Sequence, residues 1–380
     1  MFRLENAVQP YAWGSLTSIP SLLGLPSSGG PQAELWVGAH PSAPSKVNGR
    51  SLEALIAEAP GPMLGAEVEQ RFGPRLPFLL KVLAAAKPLS LQAHPSLAQA
   101  QAGFANEEAA GVPRTAAHRN YKDPNHKPEL ICALTPFRAL CGFRRVDDTK
   151  ALLTGLGVPA LAPFLEALTQ GGLRSLFERV MSVPAADRAP LVSAVVAACA
   201  SRPPAAFIAE CANAVALERE YPGDVGVIGA LLLNLVTLKP GEALALGAGN
   251  LHAYLEGTGV ELMANSDNVL RGGLTPKHVD VPELLRVLDF TDGPVTIVVP
   301  RGAPEATYPT PIPDFRLSRV DVGADLSLPR NGPDLLLCVE GEVHVNGLAL
   351  ARGQSAFAAF DDGALRLSGQ GVVYRATVNT

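Results

Sequence analysis

The sequence predicts a mainly β chain: two related barrel-like β units with an α-helical insertion between them. Three observations carry this. Glycine and proline are both frequent, 36 and 34 of 380 residues, and they divide the chain into short elements joined by turns, as all-β folds require. From Val146 the texture turns Ala/Leu-rich with helical spacing, as in Phe164, Leu165, Leu168 and then Leu173, Leu176, Phe177 and Val180. Finally, "PGEALALGAGNLHAYLEG" (240–257) and "RGQSAFAAFDDGALRLSG" (352–369) share one pattern of turn glycine, short apolar strand, polar turn and second strand. Aligned on Gly241 and Gly353, His252 falls opposite Ala364, so the second copy keeps the frame without the histidine.

In chain order, residues 1–145 read as strands punctuated by Pro and Gly. An early helix is expected at "SLEALIAEAP", with Ser51 as N-cap and Leu52, Leu55 and Ile56 on its apolar face. "RLPFLLKVLAAAKPLSLQAHP" is apolar enough for a buried sheet, and "HPSLAQAQAGFANEEAAG" reads as helix capped by Ser96. Residues 146–225 form the helical insertion, broken at Pro184 and at Pro203–Pro204. The β pattern resumes over 226–290, which completes the first unit, and residues 291–380 form the second.

Composition narrows the function. Hydrophobic residues make up 47% of the chain, enough for large cores, and the formal charge of −5 has no long basic run, which argues against a nucleic-acid partner. The five cysteines (132, 141, 199, 211, 338) show no CxxC and read as reduced core thiols. The N-terminal "MFRLENAVQPYAWGS" lacks the apolar core of a signal peptide. "VGVIGALLLNLVTL" is shorter than the roughly 20 residues a membrane span needs. A cytoplasmic protein is therefore expected, with no membrane contact.

Chemistry concentrates in "PLSLQAHP" (88–95). If it is a strand, Leu89, Leu91 and Ala93 share one face while Ser90, Gln92 and His94 share the other. Such a face either meets solvent or surrounds something polar. Glu129 begins another apolar run in "NHKPELI", and "NLHAYL" carries His252 with Tyr254 two residues on. An amide, a carboxylate and two imidazoles make a mixed N/O set that suits zinc with an open position, and Mn²⁺ or Fe²⁺ would tolerate it. The competing readings are a polar strand face at a barrel mouth for Gln92 and His94, and a satisfied core histidine for His252.

Six segments in order, "QPYAWGS", "AELWVGAHP", "PFLLKVLAAAKPLSLQAHP", "NYKDPNHKPEL", "LKPGEALALGAGNLHAYLEG" and "VELMANSDNVLRGGLTPKH", closely resemble type I phosphomannose isomerase, from about residue 8 to 290. The resemblance implies a pair of cupin (jelly-roll) domains with a helical insertion, the metal-binding one first. It implies one Zn²⁺ on Gln92, His94, Glu129 and His252, with none of the four positions substituted. The reaction it implies is the interconversion of mannose 6-phosphate and fructose 6-phosphate through a cis-enediol(ate), whose negative charge needs a Lewis acid.

For the proton shuttle two candidates stand: Lys127, expected on the face of Glu129 where a nearby cation would lower its pKa, and Glu261, expected on the strand after His252. The substrate phosphate is expected at Arg271 and Lys277, beside two glycines that let backbone approach an anion, with a hydroxyl from Ser90. Lys81, a lysine inside "FLLKVL", is either a snorkelling edge residue or, by the resemblance, an active-site group that helps open the sugar ring with Asp267. Trp13 and Tyr254 are placed in the cavity wall. His40 is read as structural support, and His118, His278 and His344 as surface or turn residues. The chain is expected to act on a small sugar phosphate as a monomer. Alternatives are a non-catalytic sugar-phosphate-binding cupin or another metal-dependent cupin enzyme.

Overall fold

The strand Phe78–Ala85, "FLLKVLAA", is buried along its whole length, and its period of two assigns its side chains to two environments. Leu80, Val82 and Ala84 enter an apolar core, whereas Leu79, Lys81 and Leu83 line a cavity. The computed structural model, which describes residues 1–379, places this strand at the centre of a ten-stranded antiparallel system. Glu34–Gly38 pairs with it on one side and His252–Ala264 on the other. The 13-residue strand His252–Ala264 changes partners along its length. Its first half pairs with Phe137–Phe143 and Gln92, and its second half with Phe78–Ala85 and Glu129–Ala133. That change of partners wraps the sheet around a cavity, as in a jelly roll.

A second system of eight strands follows the same plan. In each copy a four-residue strand precedes a 13-residue one: Ala243–Leu246 and His252–Ala264, then Ser355–Ala358 and Leu365–Thr377. Gly241 and Gly353 take φ 87° and 85°, and Gly257 and Gly369 take φ 126° and 98°. The repeat seen in the sequence is thus matched strand for strand. One strand crosses over: Phe2–Arg3, read in sequence as part of the first unit, pairs with Ala356 and Phe357 of the second.

Helices fill the stretch from Val146 onward, over 146–155, 162–181, 185–201 and 208–220. Pro184 caps the third, and Gly172 kinks the second at φ 67°. Their apolar faces share one core with the outer face of the first sheet, including Leu91, Ala93 and Leu251. Gly226–Leu231 is helical as well. A continuous apolar run does not separate buried helix from buried strand by periodicity, and β structure starts only at Leu233.

Ser51 caps Leu52–Glu58, and Ser96 forms a capping box on Leu97–Ala109, as expected. Short helices at Ser18–Leu23, Pro60–Leu64 and Ala66–Phe72 were not anticipated; each is too short to show a periodicity. All five cysteines are unpaired and buried. No single helix among the described residues is long and apolar enough to cross a membrane.

Candidate active site

Strand formation at "PLSLQAHP" is limited to Gln92–Ala93, which bridges the start of His252–Ala264 and Leu270–Arg271. The alternation holds from Ser90 onward, whereas Leu89, expected beside Leu91 and Ala93, lines the cavity instead. Leu91 and Ala93 pack against the helices, and Ser90 and Gln92 face the cavity. His94 follows, buried beside Glu129, the first residue of its strand, and His252, the first residue of another. One donor atom from each of His94, Glu129 and His252 lies within 4.8 Å of the others, and no other such trio occurs among the described residues.

Two of the donor atoms find no hydrogen-bond partner in the protein. His94 Nε2 and Glu129 Oε2 are buried without a hydrogen bond, an expensive arrangement unless a cation takes their lone pairs. Both ring orientations serve that end: His94 Nδ1 is 2.7 Å from the Asn268 carbonyl and His252 Nδ1 is 3.0 Å from that of Asn250. Each carbonyl accepts the Nδ1 proton and leaves Nε2 free to ligate. Burial pushes the His94 imidazole down to about 4, so it is neutral at pH 7. Burial alone would raise the Glu129 carboxyl, but Lys127 and His94 beside it hold it well below its usual range. The Gln92 amide lies at the same edge, 3.4 Å from His252 Nε2. Two imidazoles, a carboxylate and an amide suit a zinc ion.

Gln92 and Glu129 line a cavity of about 540 Å³, large enough for a small substrate, and His94 and His252 lie against them. Lys81 is no snorkelling lysine. It is buried on a central strand, with Nζ 3.2 Å from Glu261 and 3.5 Å from Glu34. Burial opposes its charge, but the two carboxylates outweigh that and raise its pKa, so it works as a fixed cation. Burial raises the Glu261 carboxyl against the pull of Lys81. Glu261 lies on the same strand as His252, not the next one. An odd offset of nine should put the two on opposite faces; the register shift between Tyr254 and Glu256 restores them to one cavity. Tyr254 joins the wall, buried, its hydroxyl without a hydrogen-bond partner.

Lys127 precedes its expected strand, yet its Nζ lies 3.0 Å from Glu129 Oε1 and lines the cavity. Arg271 and Lys277 are at the mouth with Ser90, Trp13 and Asp267. Burial lowers the pKa of Arg271; burial, then Arg271 and Lys122, lowers that of Lys277. These are cations short of an anion. Of the glycines beside Arg271, Gly273, at φ 110°, would place a Cβ 2.7 Å from Gly226 Cα, so it serves close packing against the helix Gly226–Leu231. His40 is buried at the cavity edge, with Nε2 3.6 Å from Asp267 Oδ1.

Residues 1–146 match the family described as phosphomannose isomerase type I, catalytic domain. The mannose-6-phosphate isomerase of Salmonella typhimurium is 42% identical over 392 residues, covering 99% of each chain. This chain belongs to the phosphomannose isomerase family. Its human relative, named mannose-6-phosphate isomerase, is 34% identical over 90% of this chain and 88% of its own length. A zinc-bound crystal structure of a mannose 6-phosphate isomerase superposes with a TM-score of 0.92 at 40% identity, covering 100% of this chain and 99% of that one.

Against that phosphomannose isomerase frame, sequence reasoning missed three residues. Lys122 adds a cation at the cavity mouth, and Glu34, tied to Trp36 Nε1 at 2.6 Å, holds Lys81. Buried Asn268 accepts from the Lys122 and Asp123 amides and donates to the Asp123 and Asn125 carbonyls, so one amide orders the loop leading to Glu129. A fully polar side chain next to two glycines in "SDNVLRGG" was the available signal.

Proposed function

We propose that this chain interconverts mannose 6-phosphate and fructose 6-phosphate with one zinc ion held by Gln92, His94, Glu129 and His252. The observation that carries the reading is the convergence of buried, unpartnered donor atoms in a cavity whose mouth carries unpaired cations. Zinc, when bound, supplies a Lewis acid that stabilises negative charge on the sugar oxygens.

The side chains of the chain supply the rest. Arg271 and Lys277, with the Ser90 hydroxyl, take the phosphate and fix the sugar along the cavity. Ring opening moves a proton from the O1 hydroxyl to the ring oxygen. Lys81, kept charged between Glu34 and Glu261, and Asp267 at the His40 edge are the groups placed for it. Isomerisation then takes a proton from C2 and returns it at C1, while the O2 hydroxyl proton passes to O1. We assign the transfer from C2 to C1 to Lys127, whose amine lies on the cavity wall. Glu261 is bound to Lys81 and acts by keeping that cation in place. Trp13 and Tyr254 shape the wall.

The unit formed by 1–145 and 226–290 is assigned to catalysis, 146–225 as the helical insertion, and 291–380 as the unit without ligands. The chain is taken to be a cytoplasmic monomer, which light scattering on the purified protein checks.

The test is metal analysis with a coupled assay for fructose 6-phosphate. One zinc per chain is expected, with turnover abolished by a chelator and restored by Zn²⁺. Zinc-loaded protein that binds mannose 6-phosphate without turning it over would leave only a binder.

A further inference from the structure

The loop that carries Lys127 is held from two sides. Toward the first unit, Asn125 Nδ2 donates to the Asn265 carbonyl at 3.0 Å, and the Pro128 carbonyl accepts from the Ala264 amide at 3.1 Å. Between these anchors lie His126 and Lys127, and no backbone hydrogen bond involves either among the described residues. The Lys127 amine lies 3.0 Å from Glu129 Oε1, and what fixes His126 is a side chain. His126 Nε2 lies 3.0 and 3.1 Å from the two carboxylate oxygens of Asp314, which belongs to the second, metal-free unit.

Asp314 is built to hold still. It is only 3% exposed and sits in "PTPIPDF", where prolines fix the backbone. Fully buried Phe315 follows it, and the Asn379 side chain donates to the Ile312 carbonyl at 2.9 Å. Lys127 precedes Pro128, which confines it to extended backbone. In extended chain successive side chains point to opposite sides. Anchoring His126 therefore sets the rotation of the strand about its own axis, and with it the direction of Lys127 into the cavity.

We propose that Asp314 is a positioning residue: the second unit, having no ligands of its own, aims the Lys127 amine of the first unit through His126. This rests on the assignment of Lys127 to proton transfer. A misplacement of about 1 Å costs on the order of 100-fold in rate, so a loosened loop should lower turnover without touching the metal or the phosphate site.

The experiment compares zinc-loaded wild type, Asp314→Ala, Asp314→Asn, His126→Ala, Lys127→Ala and the double variant Asp314→Ala/Lys127→Ala. Asp314→Ala and His126→Ala should each lower kcat about ten- to a hundredfold, with KM for mannose 6-phosphate and zinc content unchanged. Asp314→Asn, which keeps an acceptor, should recover most of the loss. In the Lys127→Ala background, removing Asp314 should have no further effect. An unchanged kcat in both His126→Ala and Asp314→Ala overturns the proposal. So does a further loss in the double variant, or a fall in zinc content that accounts for the lost rate. If Asp314→Ala does not fold, the partly buried His126 tests the same contact from the loop side. Full activity of Lys127→Ala alone would instead sink the proton-transfer assignment.

Discussion

His94 and Glu129 show how single side chains are prepared for a cation. Both are buried, both present an unpartnered atom, and the carbonyl of Asn268 fixes which imidazole nitrogen is free. His252→Ala should therefore lose zinc and activity together while the circular dichroism spectrum of the fold persists; retained stoichiometric zinc would remove His252 from the ligand set. The pH dependence of the chelator-treated protein follows from His94. Burial depresses its folded value to about 4 from the usual 6.5 of a free imidazole, so between those values the unfolded chain binds more protons. Stability is then full above pH 6.5 and falls as pH drops toward 4, by on the order of 3 kcal/mol for this one group. Denaturant titrations at pH 7 and 4.5 measure it, and His94→Asn should flatten the difference. Arg271, half-buried without a carboxylate partner, should bind the phosphate. Arg271→Ala should raise KM for mannose 6-phosphate tenfold or more, as expected for losing about 1.5–3 kcal/mol of charged hydrogen bonding. Zinc content should stay unchanged, and a KM equal to wild type would move the phosphate elsewhere.

At the scale of elements, the decisive feature is the irregularity in His252–Ala264. It brings Tyr254 and Glu261 to one cavity wall, although their odd offset would place them on opposite faces under strict alternation. Gly257 follows it at φ 126°, where an added Cβ would lie 2.7 Å from the Pro136 carbonyl. Gly257→Ala should cost about 1–3 kcal/mol of stability and lower kcat by tilting Glu261 and Lys81. A variant with unchanged melting temperature and rate would show that the strand does not need the glycine there. Much at this scale was legible. The capping serines at 51 and 96, the change of period at Val146 and the duplicated hairpin all leave local signals. The bulge, the short helices near residue 60 and the helix at Gly226–Leu231 leave none, because a bulge is one extra residue and short apolar runs fit either period.

Across the whole molecule, the two β units share an apolar core. Leu35, Phe78, Leu80, Leu130 and Leu262 from the first pack with Tyr308, Phe315, Leu317, Leu335 and Tyr374 from the second. Each fully buried side chain of this size contributes about 1.5–3 kcal/mol. A chain ending at residue 290 should therefore expose this face and be recovered as aggregate or as an ANS-binding species. A soluble truncated chain with native zinc content would show that the units fold independently. The strand Phe2–Arg3, paired into the second sheet, ties the N-terminus to the same interface.

By itself, the sequence indicated the β-rich character of the chain and the run of helices from Val146 and, through its family resemblance, singled out residues 92, 94, 129 and 252 as candidate ligands. These are written in local periodicity, capping residues and long motifs. Only the tertiary structure decided that Lys81 is locked between Glu34 and Glu261, that Gly273 packs against Gly226, and that Asp314 reaches His126. Each of those contacts joins residues far apart in the chain, and their pairing is set by sheet register and by the docking of one barrel on the other. No local pattern of residues encodes that docking.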